Sequence, residues 1–101
     1  MIDFIKGLFG PKIDIKELIN NGAVIIDVRS KEEFSRGHVK NSINIPLDKL
    51  GNNLKKIDKN KPIITCCASG SRSAMAKNML ISGGFQNVHN GGSWVSVNRY
   101  V

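Results

Sequence analysis

Both cysteines of this chain stand side by side, Cys66 and Cys67, where the apolar run Ile63-Ile64-Thr65 stops. Four small residues follow, Ala68-Ser69-Gly70-Ser71, then Arg72, Ser73 and a helical pattern. A thiol is a nucleophile only as the thiolate, and free cysteine keeps its proton up to about pH 8.5. Loop N–H groups, a helix N-terminus and a nearby guanidinium each favour the anion. This segment offers all three. Residues of little bulk let the backbone wrap a sulfur atom, and Gly70 can take a positive φ. Arg72 presents a planar fork to an oxyanion such as a thiosulfonate. Ser73 reads as the N-cap of the next helix.

Strands and helices must alternate to place such a loop. Asp14 has the pattern of an N-cap, with Glu17 in the capping-box position, for a helix over about 15–21. Residues 23–28, Ala-Val-Ile-Ile-Asp-Val, are apolar on both faces, as in a central parallel strand covered by helices. Ser30 and Glu33 repeat the capping-box spacing, and Gly37 ends that helix. Residues 42–46 read as a short strand and 47–54 as a helix. Residues 62–66 form the third strand. A helix over 73–82 turns Ala74, Met75, Met79 and Leu80 to the core, and Gly83-Gly84 stops it. Residues 87–89 form a last strand, and Gly91-Gly92 turns the chain into a segment holding Trp94, Val97 and Tyr100. This alternation predicts a three-layer α/β domain with a mainly parallel central sheet flanked by helices. Ligands bind beyond the carboxyl ends of such strands, where the cysteine loop falls.

The chain has 101 residues, 41% of them hydrophobic and 23% charged, which suits one compact domain over 12–101. Residues 1–11 read as an N-terminal apolar segment set off by Gly10-Pro11, with Ile2, Ile5 and Phe9 on one face of a short helix packed on the domain. They lack a basic n-region and a cleavage site, and no run approaches the roughly 18 apolar residues of a membrane span. Net charge is +7, which favours anionic partners. The lysines are scattered, among them Lys49, Lys55, Lys56, Lys59 and Lys61, without interleaved aromatics. That reads as a solvated surface, not a nucleic-acid interface. Adjacent cysteines are no disulfide framework, so a reducing cytoplasm is the simplest compartment. No His/Cys spacing points to zinc. Asp27 and Arg29 read as a structural ion pair, His38 as a hydrogen-bonding turn residue, His89 as surface or packing, and Trp94 as a packing anchor. Glu32 and Glu33 read as ordinary first-turn acids.

Three stretches together resemble the rhodanese family. Cys67-Ala68-Ser69-Gly70-Ser71-Arg72-Ser73 is similar to its active-site loop, with Gly three and Arg five residues after the Cys. Asp27-Val28-Arg29, Glu33-Phe34, Gly37-His38-Val39 and Asn44-Ile45-Pro46 resemble its N-terminal signature, and Asn90-Gly91-Gly92-Ser93-Trp94 its C-terminal one. The resemblance spans residues 13–97. It implies a rhodanese-like fold and a single-domain sulfurtransferase. Cys67 would take sulfane sulfur from a small anionic donor, thiosulfate or a persulfide, and carry it as a persulfide. N–H groups of Ala68, Ser69, Gly70, Ser71, Arg72 and Ser73 would hold the outer sulfur. A thiol acceptor, small or on a protein, or cyanide would then remove it. No metal or organic cofactor is implied.

Cys66 stands where the family commonly has an aromatic residue, and three readings of it compete. It fills space at a buried strand end, it acts as a redox partner to Cys67, or it is itself the nucleophile. Counted from Cys66 the loop reads Cys-x5-Arg, the spacing of tyrosine phosphatases and arsenate reductases. That register puts Gly70 at the fourth position rather than the third and has Thr65 where those enzymes have His. A non-catalytic docking module on the same fold is the remaining alternative.

Overall fold

The computed structural model describes residues 14–101. The apolar segment 1–11 lies outside the described residues. The elements are α1 (Ile15–Asn20), β1 (Val24–Asp27), α2 (Lys31–Ser35), β2 (Ile43–Asn44), α3 (Leu47–Leu50) continued by a 3₁₀ helix (Gly51–Lys56), β3 (Ile63–Cys67), α4 (Ser71–Ser82), β4 (Val88–Ser93) and α5 (Trp94–Asn98). The sheet order is β2-β1-β3-β4 and every pairing is parallel. The expected three-layer α/β architecture is therefore present.

Strand alternation divides the core into two layers. Ile26, Val28, Ile63 and Cys67 pack on one face of the sheet with Leu50, Ala76, Leu80 and Phe85. Ile25, Ile64 and Cys66 pack on the other with Val39 and Val97, backed by Ile15, Leu18, Ile19 and Trp94. Each fully buried Ile, Leu or Val contributes about 1.5–3 kcal/mol. Both inner strands carry such residues on both faces, which is why their sequences read as unbroken apolar runs. Among the described residues every buried side-chain nitrogen and oxygen has a hydrogen-bond partner. No helix among them is long and apolar enough to cross a membrane.

The caps follow the sequence closely. Ser30 Oγ accepts from the Glu33 N–H at 3.2 Å while Glu33 Oε1 accepts from the Ser30 N–H at 3.0 Å, a complete capping box. Asp14 Oδ1 accepts from the Glu17 N–H at 3.1 Å.

Three boundaries beside the cysteine loop differ from expectation. β3 runs on through Cys67, because Cys67 pairs with Ser93 beyond an irregularity in the ladder. For the same reason β4 continues through Gly91 and Gly92 instead of turning there. Helix α4 starts at Ser71, two residues early, because Gly70 adopts φ +109° and serves as its N-cap. Ser73 therefore sits inside the first turn and is buried. The earlier start goes with a core face made by Ser73, Ala76 and Leu80, at spacings of three and four. Met75 falls off that face and is 57% exposed, whereas Met79 does pack on the core.

Gly91 marks a close approach. A Cβ there would lie 2.6 Å from Val97 Cγ2, 2.8 Å from Ile64 Cγ2 and 3.0 Å from the Thr65 carbonyl. Gly91→Ala should overpack this layer and destabilise the fold by about 1–3 kcal/mol, read as a lower urea midpoint. An unchanged midpoint would show that Val97 and Ile64 can give way.

Candidate active site

The parallel sheet brings three loops to the carboxyl ends of its strands: the one after β1, the cysteine loop after β3, and the end of β4. Cys67 closes β3, and the chain doubles back over its sulfur through residues 68–70 into α4. Cys67 Sγ accepts from the Gly70 N–H at 2.9 Å and from the Ser73 N–H at 3.3 Å. It lies 3.5 Å from Ser73 Oγ. Burial pushes the Cys67 thiol up. Hydrogen bonds from the Ser73 hydroxyl and from the Ser73, Gly70 and Ser69 N–H groups together outweigh that and leave it below its ordinary value. The loop thus does what its small residues suggest, and it also covers the sulfur: Cys67 is 0% exposed. Ala68 and Ser71 form the exposed outer turn.

Cys66 is held apart from this. It faces the opposite layer, beside Ile25, Val39 and Val97, and is also 0% exposed. Burial, then the Asp27 carboxylate, push its thiol up to about 12. It keeps its proton at neutral pH and behaves as a small hydrophobe.

Arg72 projects from the first turn of α4 toward α2. Its Nη1 donates to Glu33 Oε1 at 2.7 Å and its Nη2 to Glu33 Oε2 at 3.0 Å, both side chains remaining about a third exposed. The guanidinium and the Ser30 N–H hold the Glu33 carboxyl down at about 2. Glu33 is therefore more than a first-turn acid: it joins α2 to α4. Residues 33 and 72 are far apart in the chain, so no local pattern signals the pair.

The Asp27–Arg29 pair is structural, as expected. Arg29 Nη2 donates to Asp27 Oδ2 at 2.8 Å and to the Gly37 carbonyl at 2.7 Å, and Nε donates to Asp27 Oδ1 at 2.9 Å. The Arg29 guanidinium lies 4.9 Å from the Trp94 ring centroid, a cation–π contact. Asn44 Nδ2 donates to the carbonyls of Asp27 and Arg29 at 3.0 Å each. His38 Nδ1 donates to the Phe34 carbonyl at 2.8 Å and its ring stacks on Phe34, as befits a turn residue. His89 pairs with Asn87 through its ring Nε2. Asn90, read from the sequence only as part of the C-terminal signature, enters the site: in β4, its Oδ1 lies 2.6 Å from Ser73 Oγ.

A family model described as Rhodanese-like domain matches residues 13–97. The chain belongs to the rhodanese family. Its relatives include the thiosulfate sulfurtransferase GlpE of Pseudomonas savastanoi, 29% identical over 78% of this chain and 74% of the relative. YrkF of Bacillus subtilis, named for sulfur carriage, is 34% identical over 81% of this chain, which spans only 42% of that protein's length. Among solved structures, a rhodanese with anions from E. coli superposes with a TM-score of 0.70 at 32% identity, covering 74% of this chain and 91% of that one. A rhodanese-like domain protein from Staphylococcus aureus gives 0.71 at 32% identity, covering 82% and 86%.

The Glu33–Arg72 pair in this rhodanese-family chain has a testable pH signature. The Glu33 carboxyl titrates near 4.5 when free and at about 2 when folded. A depressed acid stabilises the fold fully above its unfolded value and loses that contribution as pH falls through its folded one. Glu33→Gln should therefore lower the melting temperature at about pH 7, and the gap to wild type should close toward about pH 2. A gap independent of pH would mean that the pair's charge contributes nothing.

Proposed function

We propose that this protein is a sulfurtransferase that moves sulfane sulfur through a persulfide on Cys67. The observation that carries the reading is the convergence of the Gly70 and Ser73 N–H groups and the Ser73 hydroxyl on one sulfur atom. A lowered thiol that is ringed by donors is built to be an anion. The names of relatives support the reaction class: one is a thiosulfate sulfurtransferase and another is named for sulfur carriage.

In the first step the Cys67 thiolate attacks the outer sulfur of thiosulfate. A bond forms between Cys67 Sγ and that sulfur, the bond to the sulfonate sulfur breaks, and sulfite leaves with the electron pair. The outer sulfur then carries the negative charge, and loop N–H groups between Ala68 and Ser73 hold it. In the second step an acceptor thiolate attacks the outer sulfur, and Sγ departs as the thiolate. Two half-reactions through a covalent intermediate give ping-pong kinetics.

The site favours small anionic donors. The sulfur is covered only by a turn of small residues over 68–71, which leaves little room for a bulky donor. Net charge is +7, which draws anions in, and Arg72 stands at the start of α4 with its guanidinium shared with Glu33. A solved relative is described as holding anions. The phosphatase-like register built on Cys66 has no such support, because that thiol faces the other layer and keeps its proton. A purely docking role leaves the convergence on Cys67 without a purpose.

Thiosulfate should add about 32 Da to the intact protein, the mass of one sulfur atom retained on a covalent nucleophile. Cys67→Ser should abolish the adduct and Cys66→Ser should keep it, both read by mass spectrometry. No adduct with thiosulfate, polysulfide or glutathione persulfide would sink the proposal. Aryl phosphate hydrolysis that is lost only in Cys66→Ser would replace it with the other register.

A further inference from the structure

The Ser73 hydroxyl has one proton and several acceptors around it. Asn90 Oδ1 lies at 2.6 Å, the Gly70 carbonyl at 2.9 Å, and the Gly92 carbonyl and Cys67 Sγ at 3.5 Å each. Asn90 Oδ1 is the nearest. The Gly70 carbonyl already accepts from the Ala74 N–H at 3.0 Å and from Asn90 Nδ2 at 3.4 Å. The Gly92 N–H donates to Asn90 Oδ1 at 2.9 Å, which fixes the amide with its oxygen toward Ser73.

We propose that Asn90 is a positioning residue that competes with the Cys67 sulfur for the Ser73 hydroxyl proton and so sets how readily the thiolate forms. With the proton on the Asn90 side, Ser73 Oγ offers a lone pair to the Cys67 S–H, and the neutral thiol is satisfied. When the thiol ionises, the hydroxyl turns its proton to Sγ. Asn90 Oδ1 then still holds the Gly92 N–H, so no buried acceptor is orphaned. The turn is small, about one bond of the side chain, and needs no backbone movement.

This inference rests on the reading of Cys67 as the sulfur-bearing residue, and it adds a consequence. In the persulfide Sγ is the inner, uncharged sulfur and needs no donor, so the hydroxyl belongs to Asn90. As the acceptor thiolate takes the outer sulfur, the electron pair of the broken bond returns to Sγ, and the Ser73 proton swings to meet it. The hydroxyl thus supplies its hydrogen bond to the leaving thiolate at the moment the charge appears there.

The charged groups near this corner are Arg72 of α4, paired with Glu33 of α2, and the Asp27–Arg29 pair, which lies on the Cys66 side of β3. All four stay in place in the variants that test the inference. The probe is the ultraviolet absorbance of the thiolate as a function of pH, taken as the difference from Cys67→Ser. It reads ionisation whether or not sulfur is ever transferred, and it needs no reagent to enter the loop. Asn90→Ala should lower the Cys67 midpoint by roughly half a unit, a modest share of one hydrogen bond. Asn90→Asp, a stronger and charged acceptor, should raise it. In a Ser73→Ala background Asn90→Ala should have no effect, because the shared proton is gone. A raised or unmoved midpoint in Asn90→Ala, or an equal shift with and without Ser73, would overturn the inference. If Asn90→Ala does not fold, Asn90→Asp decides: its upward shift must be larger with Ser73 present than with alanine there, and equal shifts refute the competition. Loss of the persulfide adduct with these midpoints intact would count against the sulfurtransferase reading alone.

Discussion

Much of the site hangs on the buried Asp27–Arg29 ion pair. A lone buried charge is strongly destabilising, so each partner must keep the other, and removing either would cost about 3–5 kcal/mol. Arg29 spends its remaining donors on the Gly37 and Glu33 carbonyls. That ties the segment after β1 to the sheet and sets α2 at a fixed height above it. Glu33, placed by α2, then grips Arg72. Arg72 lies in the first turn of α4, the helix whose N-terminus covers the Cys67 sulfur. The cysteine loop is therefore braced from a neighbouring strand by two ion pairs in series, the first dry and the second at the surface. A surface pair alone is a weak tie; its worth here is geometric, since it positions a helix that the sheet already supports.

The second constraint is the period of a β-strand. Neighbours in β3 point to opposite layers, so two cysteines that touch in sequence have nothing in common in space. Cys67 meets the donors of a loop and a helix N-terminus. Cys66 meets Ile25, Val39 and Val97. One thiol is lowered and the other is pushed up to about 12. The same alternation puts Thr65 on the Cys67 side, where its hydroxyl donates to the Ser73 carbonyl at 2.9 Å and fastens α4 to the strand.

The inner strands were legible because burial on both faces writes itself as an unbroken apolar run, and the Ser30–Glu33 cap because its two partners are three residues apart. The cysteine loop was legible because Gly70 and Arg72 sit at telling distances from Cys67. Where reading stopped short, tertiary geometry had overridden a local cue. Ser73 looks like a cap, yet Gly70 takes that place with a positive φ and frees the serine hydroxyl for sulfur. Gly91 and Gly92 look like a turn, yet the strand passes through them to set Ser93 opposite Cys67, with Val97 and Ile64 close against the Gly91 backbone. The Glu33–Arg72 and Ser73–Asn90 contacts join distant parts of the chain through single side chains. Nothing in the neighbouring residues announces them.

The all-parallel sheet has a consequence for how the chain reaches this state. None of its strand pairs is a hairpin: position 24 meets 63, position 26 meets 43, and position 63 meets 88. Each ladder must close a long loop before its bonds repay the lost chain entropy. The two inner strands, Val24–Asp27 and Ile63–Cys67, are the most apolar segments described and the most widely separated of the pairs. Until they meet, both are exposed edges that a second unfolded chain could extend. The sequence that hides a reactive sulfur so completely in the finished fold is thus at its most vulnerable just before that sulfur is covered.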